Sequence, residues 1–242
     1  MDDNPKISIV TVVFNGASTL ESTILSVINQ NYKNIEFIII DGGSTDGTLD
    51  LIKKYEDKIS FWHSEPDKGI YDAMNKGLLK ANGEWLMFLG CDDLLLNTIH
   101  EIEPLMKDKS SVYYGNSFFN KELLIYDGKF NGFKLSKKNI CHQAIFYPKM
   151  IYKKREYDLK YKLLADYNYN IICYGDSRLN FEYMPFLISV FNQYGSVNQS
   201  IDKVFMDDKY KIVSLHLSKT YAAYIKIYDL LKATVKKIIY DK

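Results

Sequence analysis

The chain has little of what marks several large classes of protein. Its 242 residues include only three cysteines, Cys91, Cys141 and Cys173, far apart and with no C-x-x-C pair. That argues against a disulfide framework and a zinc site and points to a reducing compartment. Four scattered histidines and the lack of a G-x-S-x-G turn argue against a hydrolase. No apolar run approaches the length of a membrane span, and strand-like sequence begins by Ile7 without a basic region and apolar signal core. A cytoplasmic chain, soluble or peripheral, is therefore expected. Charge of one sign is also missing: 31 Lys and Arg face 30 Asp and Glu, a formal net charge of +1. This gives no bulk electrostatic case for nucleic acid, so any polyanion must bind locally. No internal repeat or low-complexity tract is visible.

What is there alternates between two periodicities. Ile7 to Phe14 reads as a buried parallel-type strand, Gly16 as a turn, and Leu20, Ile24, Val27 and Ile28 as one helical face behind a Ser18–Glu21 capping box. Strand patterns recur at Ile35 to Ile40, Ile59 to His63 and Trp85 to Leu89. Helical patterns recur at Thr48 to about Tyr55, at Ile70 to Lys80, and after a second capping box at Thr98–Glu101. This order implies right-handed crossovers and a largely parallel sheet. After about Tyr114 the pattern becomes mixed, with strand-like pieces at Leu123 to Tyr126 and Cys141 to Tyr147. Residues 206–242 read as an amphipathic helical tail whose apolar stripe is flanked by lysines. That stripe has two readings: packing on the rest of the chain, or reversible contact with an anionic membrane surface.

Two strand ends carry carboxylates. Trp85 to Leu89 runs into Gly90-Cys91-Asp92-Asp93, and Ile35 to Ile40 runs into Asp41-Gly42-Gly43-Ser44-Thr45-Asp46-Gly47. Adjacent like charges cost free energy unless a cation or donors neutralise them. In an open α/β sheet, ligands bind beyond the carboxyl ends of the strands. A divalent ion there would hold a diphosphate; the alternative is a solvated turn in which Asp93 or Asn97 caps the next helix.

In combination, I-S-I-V-T-V-V-F-N-G, D-G-G-S-T-D-G-T, S-E-P-D-K-G-I-Y-D-A-M-N-K-G, F-L-G-C-D-D, C-H-Q-A-I-F and L-A-D-Y resemble the family 2 glycosyltransferases, most closely the bacterial branch that builds surface polysaccharides such as O-antigen or capsule. The resemblance covers roughly residues 6 to 200. It implies an α/β, Rossmann-like glycosyltransferase-A fold with a mostly parallel central sheet flanked by helices. It also implies one domain over 1–205, with a nucleotide-sugar half to about 115 and an acceptor-side half from about 116. The expected reaction takes a hexose or N-acetylhexosamine from a UDP-sugar, with inversion, to a lipid-linked saccharide at the inner face of the plasma membrane. The family's D-x-D motif stands here as Cys91-Asp92-Asp93, without its first carboxylate.

The resemblance assigns Asp93 to a divalent cation, Mn or Mg, with Asp92 on ribose or donor-sugar hydroxyls and Asp41 on the N3 imino group of uracil. Phe14, Asn15, Asp67, Lys68, Gly69, Asp72 and Asn75 join the donor side, the last five around a helix N-terminus suited to phosphate oxygens. Asp166 in Leu164-Ala165-Asp166-Tyr167 is the expected general base, and His142 and Gln143 line the acceptor side. Each has a structural alternative: an Asx-turn for Asp41, a cap or ion pair for Asp72 and Asn75, an N-cap for Asp166, and a buried structural role for His142. Two other functions compete. A nucleotidyltransferase would want a glycine-rich loop better than Phe14-Asn15-Gly16-Ala17, and a non-catalytic nucleotide-sugar-binding subunit would suit the missing acid at Cys91.

Overall fold

The structure, a computed structural model, describes residues 4–194 and 201–240. Its first half is a four-stranded parallel sheet with helical crossovers: β1 (Ile7–Val13), α1 (Leu20–Ile28), β2 (Ile35–Asp41), α2 (Thr48–Lys54), β3 (Phe61–Ser64), α3 (Ile70–Lys80) and β4 (Trp85–Gly90). The strands lie in the order β3-β2-β1-β4. Every residue of β1 is buried, because helices cover both faces of the sheet. Alternate residues divide the core. Val10, Val12, Ile38, Ile40, Leu86 and Phe88 pack with Met74 and Leu78 of α3 on one face. Ile9, Ile39, Met87 and Leu89 pack with Leu20 and Ile24 of α1 on the other. Val12 pairs with Ile40 and Gly90, and Val13 with Asp41, so the carboxyl ends of β1, β2 and β4 finish level.

Beyond β4 come β5 (Leu94–Leu95), α4 (Ile99–Ile102), β6 (Ser111–Phe119), β7 (Leu124–Tyr126), α5 (Gly132–Lys137), β8 (Ile145–Pro148), α6 (Lys149–Tyr152), α7 (Ala165–Tyr174) and β9 (Asn180–Phe191). Strand β8 joins antiparallel to β4, and the order continues β8-β6-β9-β5, with β7 as a hairpin on β6. The long ladders of the sheet are parallel, and antiparallel pairs enter in its second half: β6 lies antiparallel to β8 but parallel to β9, and β5 is antiparallel to β9.

Neither expected capping box forms. Thr19 and Thr98 occupy the N-caps without a side-chain cap bond. Glu21 instead accepts from Lys54 Nζ at 2.6 Å and Tyr55 Oη at 2.7 Å, while Thr98 Oγ1 donates to the Leu187 carbonyl.

The C-terminal region is not an appendage at its start. Helix α8 (Lys203–His216) buries Phe205 completely against the rings of Tyr161 and Tyr167, and Val213 is also fully buried. Its N-cap, Asp202, accepts from the backbone N–H groups of Phe205, Leu163 and Leu164. Helix α9 (Lys219–Tyr240) buries Ile225 and packs Tyr221 and Tyr224 against the Phe133 ring, then exposes Ile227, Tyr228, Leu230 and Leu231. The side chains of Val235, Lys236 and Lys237, and residues 241–242, lie outside the described residues.

Candidate active site

The level ends of β1, β2 and β4 open a crevice whose floor is built by side chains bonding to loops. Asp41, the last residue of β2, is fully buried. Its Oδ2 accepts from Gly43 N and Ser44 N, each at 3.0 Å, and from Ser64 Oγ at 2.6 Å, while Oδ1 accepts from Ser44 Oγ at 2.5 Å. This is the Asx-turn arrangement, the structural alternative to the nucleobase contact expected for Asp41, and its oxygens are buried in it. Asn15 is likewise structural, its Oδ1 accepting from Thr45 N and its own N–H donating to Ser44 Oγ. Asp46 holds Ala17 N and Thr48 N, so the loops after β1 and β2 form one cross-bonded unit.

Above that unit the missing side chain of Gly42 matters. A Cβ there would lie 2.5 Å from Asp67 Oδ2 and 3.4 Å from Phe14 Cδ2, so Asp67 reaches into room that only glycine leaves open. Phe14 is 64% exposed beside it. Asp67 Oδ1 accepts from Gly69 N at 2.8 Å, whereas Oδ2 has no hydrogen-bond partner among the described residues. Gly69 opens α3 at a φ of 116°, a conformation that a side chain would strain.

The rest of this segment divides. The Lys68 ammonium is exposed and has no partner among the described residues. Asp72 turns back to accept Lys68 N at 3.0 Å and lies 3.7 Å from Lys76 Nζ. Asn75 is buried and spends both ends of its amide on the backbone of Tyr157, at 3.0 and 2.8 Å. It clamps the chain beneath α3 rather than facing a donor, which corrects the shared face expected for Asp72 and Asn75.

The acidic pair after β4 points two ways. Asp93 is 1% exposed; its Oδ1 accepts from Asn192 N at 2.8 Å and its Oδ2 from Gln143 Nε2 at 2.8 Å and Gly90 N at 3.2 Å. Burial pushes its carboxyl up to about 6 against the opposing Asn192 bond. Among the described residues Asp92 has one hydrogen-bond partner, Asn192 Nδ2 at 3.3 Å, and burial also raises its carboxyl. Asp93 thus ties the segment after β9 to β4, while Asp92 Oδ1 has no hydrogen-bond partner among the described residues. Neither acid has a cationic side chain within ion-pair distance among the described residues. A half-buried, uncompensated carboxylate with hard oxygen donors is of the kind that could hold a divalent cation such as Mn or Mg. No group of three or more Cys, His, Asp or Glu suited to a metal occurs among the described residues, so other ligands would have to come from a diphosphate and water. Burial pushes the Cys91 thiol up to about 12.

Across the crevice, Asp166 lies in the first turn of α7, whose N-cap is Leu164. It is 7% exposed. Tyr71 Oη lies 2.8 Å from Oδ1, and Oδ2 accepts from Asn139 Nδ2 at 2.7 Å and meets His142 Nδ1 at 3.2 Å. Asn139 is itself fixed by Asn170, and Asn170 by Tyr147. His142 and Gln143 sit on a 3-10 turn ahead of β8, not in a strand as expected. That turn makes them a bridge, with His142 on Asp166 and Gln143 on Asp93. Tyr71, Asn139 and Asn192 were not singled out in the sequence. Their partners lie 95, 27 and 99 residues away, and no local pattern marks such pairings.

Residues 8–167 match the family model described as "Glycosyl transferase family 2". A PGL/p-HBAD biosynthesis glycosyltransferase of Mycobacterium tuberculosis is 34% identical over 212 residues, covering 84% of this chain and 83% of that protein. Among solved structures, S. aureus TarS (residues 1–349) in complex with UDP superposes with a TM-score of 0.67 at 15% identity, over 87% of this chain and 65% of that one. The present chain thus spans slightly under two thirds of that TarS chain. The mannosyltransferase PcManGT from Pyrobaculum calidifontis, in complex with GDP-Man and Mn2+, superposes with a TM-score of 0.62 at 14% identity, over 97% and 76%. Both structural likenesses establish the shared glycosyltransferase-A architecture.

Proposed function

The chain belongs to glycosyl transferase family 2, and from that premise we propose that it is an inverting enzyme moving a hexose or N-acetylhexosamine from a UDP-sugar to a lipid-diphosphate-linked saccharide in O-antigen or capsule assembly. The observation that carries this reading is the 142–143 turn, which couples the donor-side acid Asp93 to the acceptor-side acid Asp166 through adjacent residues. Donor and acceptor groups are thereby held in one rigid frame, as a direct displacement requires.

Uracil stacks on Phe14 and donates its N3–H to Asp67 Oδ2. One unclaimed oxygen suits one imino donor; guanine, with neighbouring N1–H and amino donors, would want both, and Gly69 N already holds Oδ1. Lys68 and the N–H groups at the start of α3 meet phosphate oxygens. Asp92 would hold a divalent cation, which would supply positive charge against the departing diphosphate. The acceptor hydroxyl loses its proton at the Asp166 cluster and attacks the anomeric carbon from the face opposite the diphosphate. Exposed Ile227, Tyr228, Leu230 and Leu231 on α9, with Lys226 and Lys232 nearby, bring the enzyme to the cytoplasmic membrane surface where a lipid-borne acceptor lies. No helix among the described residues is long and apolar enough to cross a membrane.

The test is UDP release from a set of UDP- and GDP-sugars, with and without Mn2+, in the presence of synthetic lipid-diphosphate saccharides. Metal-stimulated release from a UDP-sugar is expected. Binding without release would assign the chain to the non-catalytic nucleotide-sugar-binding class, and release from GDP-sugars alone would overturn the base assignment.

A further inference from the structure

The hairpin that joins β6 to β7 carries an apolar surface that the core does not use. Leu123, Leu124 and Ile125 are consecutive and all exposed, Leu123 at 75% and Ile125 at 61%. Tyr194, whose ring lies under the Lys121 ammonium at 5.8 Å, is exposed with them. Single exposed apolar residues are ordinary, but an unbroken exposed run is not, unless something covers it. Leu123 also sits at a φ of 52°, in the left-handed region that glycine or asparagine normally fills at a turn. The turn therefore holds a leucine outward where a small or polar residue would cost less.

That turn is fixed to the candidate site. Gln193 Oε1 accepts from Lys121 N and Glu122 N at 3.1 and 3.0 Å, and Asn120 bonds to Asn192 Oδ1 and Gln193 N, each at 3.0 Å. Asn192 in turn donates to Asp93 and Asp92. Cations surround the run. Between residues 120 and 138 five lysines face two acids, a net charge of +3 in a chain of net charge +1, and Asp127 is already held by Lys134 and Lys138. The Lys137 and Lys138 ammonium groups lie over the rings of Phe133 and Tyr126. Phe133 also touches Tyr221 and Tyr224, so this basic, aromatic segment joins the hairpin to α9.

Resting on the transferase reading above, we propose that the β6–β7 hairpin is a second membrane contact, separate from α9. Leu123, Ile125 and Tyr194 enter the interfacial layer of an anionic bilayer, and Lys121 and Lys129 meet its headgroups. Exposed apolar residues interleaved with lysines match that surface in both polarity and charge. A second copy of the chain matches it poorly, because a two-fold contact would set each lysine-rich segment against its own like charge. Two contacts fix an orientation where one allows rotation. The segments that carry them lead directly to Asn192 on the acidic pair and to Asn139 on Asp166, so both sides of the crevice are held at the lipid surface.

Two experiments on the full chain test this. The first is co-sedimentation with vesicles of phosphatidylcholine alone or mixed with phosphatidylglycerol. The parent should bind the mixed vesicles and leave them in high salt. The joint variant Leu123→Ser, Ile125→Ser should bind them about 10–100-fold more weakly, with the parental urea midpoint and parental UDP release from a UDP-sugar with water as acceptor. The second places an environment-sensitive fluorophore on Ile125→Cys, with the parent labelled in the same way as background. Its emission should shift to shorter wavelength on the mixed vesicles and stay unshifted on phosphatidylcholine alone. Parental vesicle binding by the joint variant, or a label that stays in water, overturns the proposal. So does a concentration-dependent dimer that the joint variant dissolves, which would give the patch to a second copy. If the parent releases no UDP from any donor, the transferase reading fails while vesicle binding still decides the role of the hairpin.

Discussion

Replacing Asp41 separates an architectural carboxylate from a nucleotide-binding one. In Asp41→Ala four donors lose their acceptor, of which the two serine hydroxyls can rotate toward other partners. The N–H groups of Gly43 and Ser44 are fixed by the turn and cannot. Hydrogen bonds to a charged acceptor contribute about 1.5–3 kcal/mol each, so two stranded backbone donors cost about 3–6 kcal/mol. That is a large share of the roughly 5–15 kcal/mol that holds a typical domain folded. Asp41→Asn should cost far less, about 1 kcal/mol, because an amide oxygen at the Oδ2 position keeps three donors and the NH2 group can donate to Ser44 Oγ. Asp67→Asn should leave stability within about 0.5 kcal/mol, since Asp67 lies at the crevice surface, but weaken UDP about 10–100-fold when the amide NH2 faces the uracil N3–H. Urea unfolding paired with UDP calorimetry on the three variants reads both quantities. If Asp41→Ala folds with parental stability but loses UDP, while Asp67→Asn binds normally, Asp41 is the base contact after all and the reassignment to Asp67 is wrong.

Asp92→Asn should abolish the gain in UDP affinity that Mn2+ confers while leaving metal-free binding unchanged, as read by calorimetry with and without EDTA; a parental metal response would remove Asp92 as the ligand. Phe205→Ala, which empties a fully buried site between two tyrosine rings, should lower unfolding free energy by about 3–5 kcal/mol, whereas joint Ser substitution of Ile227, Leu230 and Leu231 should leave it unchanged and cut co-sedimentation with anionic vesicles. Equal vesicle binding by that triple variant would confine α9 to a structural role. Asp93, raised from an ordinary value of 3.8 to about 6, holds its proton in the folded chain at a pH where the unfolded chain has lost it. Its contribution to stability in the ligand-free protein is therefore greatest below about pH 4 and is lost as pH rises to 6, by about 3 kcal/mol in all. Asp93→Asn should flatten that slope between pH 4.5 and 7, and an unchanged slope in urea midpoints would contradict the assignment.

The parallel half of the fold was legible because its signals are local. Buried strands such as β1 read as continuous apolar runs, helices such as α3 carry a 3.6-residue stripe ending at Ala81-Asn82-Gly83, and both rest on near neighbours. Strand β9 was not legible. Its N-F-E-Y-M-P-F-L-I-S-V-F sequence carries Pro185, which normally disqualifies a strand interior, but here the register against β6 shifts between Tyr183 and Leu187, so Pro185 sits where the ladder is interrupted. In the candidate site, the motifs located the acids but not which way each one faces. Asp92 and Asp93 are equivalent as letters; Asn192 and Gln143, distant in sequence, decide that Asp93 turns inward. Similarly, the D-G-G-S turn consumes Asp41, and the room over Gly42 that admits Asp67 is a tertiary fact. In the tail, periodicity cannot tell an apolar face bound to the core from one left exposed: α8 buries Phe205 and Val213, while α9 packs Ile225 but exposes Ile227, Leu230 and Leu231.

The central claim is inverting sugar transfer from a UDP-sugar at this crevice, and it is tested most directly by the anomeric configuration of the product. The full chain, a UDP-sugar that it turns over, Mn2+ and a lipid-diphosphate saccharide should yield a single glycosylated product. Proton NMR should show the new linkage with configuration opposite to that of the donor. A product that keeps the donor's configuration, or no glycosylated product from any UDP-sugar and acceptor pair, would contradict the account.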